Sequence, residues 1–127
     1  MKILIVDDSP LIRERLSFLI GTLGDAEVVG MASNAREALQ MTESLRPDLV
    51  TLDLQMAGGN GFEYLERMHS LPVLPQVAVL TNYSNEQYRR RCLALGAVAF
   101  LDKSTQFGEL GDLLACLQQP PVEGVEQ

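Results

Sequence analysis

Five polar residues stand where apolar runs end, and their types suggest one chemistry. Asp7 and Asp8 follow the run at residues 3–6, Asp53 closes residues 48–53, Thr81 follows residues 77–80, and Lys103 lies just past residues 98–101. Brought together, three carboxylates repel one another, and each would take up a proton unless a cation neutralised it. A hard cation with oxygen ligands answers that need. Mg²⁺ fits best where phosphate is also handled, because it is held by one or two carboxylates together with phosphate oxygens. Taken singly, each residue has a plainer reading: the acids as caps or turn residues, Thr81 as a strand end, Lys103 as a surface lysine. Their common placement argues for a site.

The elements that must position them are legible as alternation. Residues 3–6 form a short apolar run rich in branched side chains, as in a strand buried on both faces. Ser9 and Pro10 then open a helix as N-cap and first helical residue. Ile12, Leu16, Leu19, Ile20 and Leu23 form its buried stripe, and Gly24 is expected to stop it. Residues 27–31 are the second strand. Asn34 caps a helix carrying Ala38, Leu39, Met41 and Leu45 inward, and Pro47 ends it. Residues 48–53 are the third strand, followed by a glycine-rich loop at residues 58–61 and a helix with Phe62, Leu65 and Met68 on its apolar side.

The proline-punctuated residues 71–75 lead to a fourth strand at residues 77–80. Asn85 starts a helix with Tyr88, Cys92 and Leu95 on one stripe, and Gly96 ends it. Residues 98–101 are the fifth strand, and Phe107, Leu110, Leu114 and Leu117 mark the last helix. Five strands alternating with five helices imply an α/β, doubly wound, five-stranded parallel sheet with helices on both faces. In such sheets the site lies outside the carboxyl ends of the strands, where strand order reverses. That is where all five polar residues fall.

Composition narrows the function. At 127 residues and 46% hydrophobic content, the chain suits one domain with its own core. A net charge of −7 argues against direct nucleic-acid binding, which needs a basic face. Cys92 and Cys116 are too few for a disulfide framework or a zinc knuckle and read as two buried thiols in a cytosolic protein. No stretch approaches the roughly 20 apolar residues of a membrane span, so a cytoplasmic protein is expected. Residues 1–118 read as the domain, and residues 119–127 as a flexible tail or the start of a linker.

The chain resembles the response-regulator receiver domains of two-component signalling, the chemotaxis-regulator-like family. The resemblance covers about residues 1–118. It rests on the acidic pair in Ile5-Val6-Asp7-Asp8, the segment Asp53-Leu54-Gln55-Met56, Gly61, the Leu80-Thr81 strand end, and the stretch from Gly96 to Lys103. It implies the flavodoxin-like (βα)5 receiver fold and a phosphorelay role. Asp53 would accept a phosphoryl group from a histidine kinase or histidine phosphotransfer protein. Asp8, Asp53 and the Gln55 backbone carbonyl would ligate Mg²⁺, with Asp7 holding it mainly through water. Lys103 would pair with a phosphoryl oxygen. Thr81 and Phe100 would be the switch pair that reshapes a surface for an output partner or a second copy.

Several positions depart from the family pattern. Phe100 lacks the hydroxyl of the tyrosine often found there, Ala57 replaces a usual proline, and Asn82 replaces a small residue. Bulky Tyr83 would shield an acyl phosphate from water. Arg89, Arg90 and Arg91, with Glu109 and Asp112 on the last helix, read either as an ordinary solvated face or as a surface for an acidic partner or a second copy. His69 reads as a helix-end residue bonded to the last carbonyls of its own helix. The rival function is a metal-dependent phosphatase with an aspartyl-phosphate intermediate, which would need an acid where Gln55 stands. A flavin binder is disfavoured by the acidic first loop.

Overall fold

The apolar runs become strands because their alternate residues face two different cores. The computed structural model describes residues 1–56, 59–82, 85–103 and 108–118. Five strands pair in parallel: β1 (Lys2–Val6), β2 (Glu27–Ala32), β3 (Leu49–Leu52), β4 (Gln76–Thr81) and β5 (Ala99–Asp102), in the order β2-β1-β3-β4-β5. On one face, Ile3, Ile5, Leu49 and Leu80 pack against α1 (Pro10–Gly21) and α5 (Glu109–Gln118) through Leu16, Ile20, Leu110 and Leu114. On the other, Leu4, Val6, Val50, Leu52, Val77 and Val79 meet α2 (Ala35–Leu45), α3 (Gly61–Arg67) and α4 (Glu86–Ala94). Burial on both faces is why these strands read as unbroken apolar runs instead of alternating ones.

The order in which strands are added reverses between β1 and β3. The chain leaves β1 for β2 on one side, and from β3 onward builds on the other. Val6 pairs with Leu52, so Asp7 and Asp53 leave neighbouring strands side by side. The Asp7 N–H donates to the Ala32 carbonyl at 3.0 Å, and the Asp53 N–H to the Val6 carbonyl at 3.0 Å. The sheet's own hydrogen bonding therefore continues one residue into the site.

Helix starts follow local chemistry. Ser9 accepts from the Ile12 N–H, with Pro10 at the first helical position. Asn34 and Asn85 accept from the Glu37 and Tyr88 N–H groups, as expected. Asn60, expected only as part of a loop, caps α3 through the Glu63 N–H. Around it, Gln55–Met56 pairs antiparallel with Gly59–Asn60 as a two-residue ribbon.

Helix ends differ more. α1 stops at Gly21, ahead of Gly24, because Thr22 turns both its N–H and its hydroxyl onto the Leu19 carbonyl and tightens the last turn. α2 ends as Arg46 takes a left-handed conformation (φ 49°) before Pro47. α3 gives way to a 3-10 turn, Met68–Ser70, in which Met68 remains buried. Gly96 does end the α4 segment, at φ 104°. His69 bonds a different helix from the one expected: its Nε2 lies 2.7 Å from the Leu95 carbonyl, at the C-terminal end of α4. Phe107, Ala57 and Tyr83 lie outside the described residues, as does the tail at residues 119–127. Of the two cysteines expected to be buried, Cys92 is buried and Cys116 is exposed. Among the described residues no helix is long and apolar enough to cross a membrane.

Candidate functional site

The polar residues reach the carboxyl edge of the sheet on four strands: Asp7 and Asp8 from β1, Asp53 from β3, Thr81 from β4 and Lys103 from β5. Asp7, Asp8 and Asp53 each offer a carboxylate oxygen within 4.8 Å of the others. Asp7 and Asp53 are buried and Asp8 is exposed. The cluster therefore has two walls and one carboxylate at the solvent side. Its donor set is all oxygen, which suits a hard divalent cation.

Lys103 provides the neighbouring positive charge. It leaves β5 with its N–H on the Thr81 carbonyl at 2.9 Å. Its ammonium donates to Asp7 Oδ2 and lies 3.2 Å from Asp53 Oδ2. All three side chains are largely buried, so this is an internal ion network rather than a surface pair. Asp53 Oδ1 also accepts weakly from the Gln55 N–H at 3.3 Å. Burial is the main influence on the Asp53 carboxyl and pushes its pKa up. Lys103 and the Gln55 N–H pull it down, and Asp7 adds to the rise.

Gly61 is needed here for close approach. A Cβ at this position would lie 2.5 Å from the Asp53 carbonyl oxygen and 3.0 Å from the Leu54 Cα. The start of α3 thus rests against the backbone of the acidic residue, tied by the Gly61 N–H to the Leu54 carbonyl at 3.0 Å. No other residue type fits that contact without moving one chain from the other.

Thr81 is wholly buried at the end of β4, in register with Asp102 on β5. Phe100, two residues before Asp102, is half-buried and packs against the core beneath α4. The structure therefore brings Asp7, Asp8, Asp53, Gln55, Thr81 and Lys103 to one edge, with Phe100 on the adjacent strand. Asn82 follows Thr81 and is exposed.

The three arginines of α4 do not form one uniform basic face. Arg89 and Arg90 pair with Glu86 on their own helix at 3.6 and 3.1 Å, while Arg91 stacks over the Phe62 ring at 4.1 Å. One contact at the site went unread in the sequence. Arg13, on the exposed-looking first turns of α1, donates from its guanidinium to the Asp7 carbonyl at 2.8 Å. Its only signal was its place one helical turn beyond the Ser9 cap.

Comparison with known proteins agrees with this geometry. The family model of the response regulator receiver domain matches residues 3–115. The chain is 35% identical, over 98% of its length, to the positive alginate biosynthesis regulatory protein of Pseudomonas aeruginosa, and spans 54% of that protein. It is 41% identical, over 80% of its length, to a protein-glutamate methylesterase/protein-glutamine glutaminase of Dechloromonas aromatica, and spans 29% of it. The chain thus spans well under two thirds of either relative. The response regulator domain of Thermotoga maritima CheB superposes with a TM-score of 0.82 at 29% identity, covering 92% of each chain.

Proposed function

Because the chain belongs to the response regulator receiver domain family, a phosphoacceptor module of two-component signalling, we propose that Asp53 is its acceptor and that Asp7, Asp8 and Lys103 complete the site. The observation that supports this most is the Lys103 ammonium set between Asp53 and Asp7 beside an exposed Asp8. In the transfer, an Asp53 carboxylate oxygen attacks the phosphorus of a phosphohistidine or acyl phosphate. The O–P bond forms as the donor's N–P or O–P bond breaks, leaving an aspartyl phosphate. Such transfers need positioning and charge neutralisation more than covalent help.

Asp8, Asp53 and the Gln55 carbonyl would hold Mg²⁺, with Asp7 acting at second remove. When bound, Mg²⁺ neutralises charge on the phosphoryl oxygens. Lys103 supplies a further positive charge at the same edge. Its present partners are carboxylate oxygens, so a phosphoryl oxygen offers it a ligand of the same kind. Asp53 works ionised, and the pKa that burial raises is countered by that ammonium.

The output is a switch rather than a turnover reaction. A phosphoryl group adds roughly −1.5 to −2 charges and strong acceptor oxygens. The Thr81 hydroxyl would sense them, and a charge-assisted bond from it is worth about 1.5–3 kcal/mol. That energy biases Phe100 and the surface of α4, β5 and α5 toward an output partner or a second copy. The chain would act in the cytoplasm with a histidine kinase or phosphotransfer protein as donor. A phosphatase with an aspartyl-phosphate intermediate is not favoured by the family, and Gln55 stands where that reaction would need an acid. Mass spectrometry after incubation with a small acyl phosphate and Mg²⁺ tests the assignment. One acid-labile phosphoryl group is expected on the wild type, and its persistence on Asp53→Asn would refute it.

A further inference from the structure

Asp7 is held from four directions. Its N–H donates to the Ala32 carbonyl at 3.0 Å, Oδ1 accepts from the Ser9 N–H at 2.9 Å, and Oδ2 accepts from Lys103. The fourth restraint is the Arg13 guanidinium on the Asp7 carbonyl at 2.8 Å. A half-buried arginine on an amphipathic helix is usually free to extend along the helix surface with its head in water. Here it turns back over one helical turn to a main-chain oxygen. That oxygen belongs to the peptide joining Asp7 to Asp8, the point at which the carboxylate pair leaves β1.

We propose that Arg13 is a positioning residue for divalent-cation binding: by holding the Asp7–Asp8 peptide it fixes the direction in which both carboxylates face the cation. This rests on the reading of the acidic cluster as a cation site. The proposal has a sign that distinguishes it from plain electrostatics. A guanidinium near a carboxylate cluster repels an incoming cation, so losing its charge alone would tighten binding. Losing its grip on the peptide would loosen binding, because groups that orient metal ligands commonly contribute tenfold or more in affinity.

Glu37, in the first turn of α2, accepts from both the N–H and the hydroxyl of Ser33 at 2.9 Å. Those bonds hold its carboxyl below the usual range, and Arg13 contributes to the same lowering. Arg13 thus holds the turn after β1 and lies within electrostatic reach of Glu37, just past the turn after β2. These turns are already joined by the Asp7 N–H to Ala32 bond.

The test is a Mg²⁺ titration followed by backbone amide NMR on wild type, Arg13→Gln, Arg13→Lys and Arg15→Gln, each first shown to keep a dispersed, native-like spectrum. Arg15→Gln removes the same charge from the exposed side of α1. Arg13→Gln is expected to weaken Mg²⁺ binding by about tenfold, with Arg15→Gln within twofold of wild type. Arg13→Lys keeps the charge but not the planar fork, and is expected to remain weakened. Unchanged or tighter binding in Arg13→Gln, with saturable binding in the wild type, overturns the inference alone. Failure of the wild type to saturate overturns the cation reading and the inference with it.

Discussion

Asp48 and Asp53 stand at opposite ends of the same strand, and the protein treats them in opposite ways. Asp48, at the amino end of β3, is exposed and fully used as a brace. Its carboxylate accepts from the Lys2 N–H at 2.7 Å, its own N–H donates to the Lys2 carbonyl, and its carbonyl accepts from the Gln76 N–H. It joins the starts of three strands. Asp53, at the carboxyl end, is buried, and burial raises its pKa against the pull of Lys103. One aspartate stabilises the sheet, while burial works against the charge of the other. The amino edge of the sheet is built for stability and the carboxyl edge for chemistry, as the direction of a parallel sheet requires.

The largest expected effect separates these two residues by function. Asp53→Asn should lose phosphoryl labelling altogether, whereas Asp48→Asn should label like wild type, as read by intact-protein mass spectrometry. Loss of labelling in the second variant would dissolve the contrast. The nearby lysines give the next effect. Lys103→Ala should slow labelling by about a hundredfold or more, the usual result of removing one preorganised charge-stabilising group. Lys2→Ala, which removes an ammonium bonded to the Leu45 carbonyl at the other edge, should leave the rate unchanged. Stopped-flow or timed-quench labelling would measure both.

Thr81→Ala sharpens the comparison within the carboxyl edge. Labelling of Asp53 should survive, but amide NMR shifts on labelling at residues 85–92 and 98–103, expected in the wild type, should shrink in the variant. Wild-type shifts confined to the neighbourhood of Asp53 would refute the route through Thr81.

Stability gives the smallest effects, of opposite sign at the two ends. Asp48→Ala should cost about 1 kcal/mol, the usual net worth of a hydrogen bond of this kind. Asp53→Asn should stabilise at pH 7, by about 0.5–2 kcal/mol if it follows other changes that relieve a functional site. The sign follows from the raised pKa. Folding favours the protonated acid, so this group's contribution is fully present below the unfolded value near 4 and is lost as pH rises through the folded value. The gain from Asp53→Asn should therefore be seen in thermal melts at pH 7 and fade near pH 4.

Much of this was readable because strand ends and caps are local signals. Asn34 and Asn85 announce helix starts by residue type, and the runs before Asp7, Asp53 and Lys103 announce buried strands. The acidic cluster followed from topology alone, since parallel strands deliver their carboxyl ends to one edge. Three features did not follow. Thr22 ends α1 early through a hydroxyl bond that competes with the later glycine. His69 finds its carbonyl on another helix, a tertiary contact with no sequence spacing. Arg13 looks like any surface arginine until the Asp7 carbonyl is seen to lie within its reach.

The bond from His69 to Leu95 sets the kind of motion that α4 can make. With its C-terminal end moored to the turn after α3 and Cys92 sunk in the core, the helix has a fulcrum at one end. Glu86–Ala94 is nine residues long, so the arm beyond that fulcrum measures about 13 Å. A pull of about 2 Å at the Asn85 end then swings the helix by roughly 9°, moving Glu86 and Arg89 far more than Leu93. α4 would behave as a lever. A partner reading this surface would register a change in angle at its N-terminal half, with the C-terminal half serving as fixed ground.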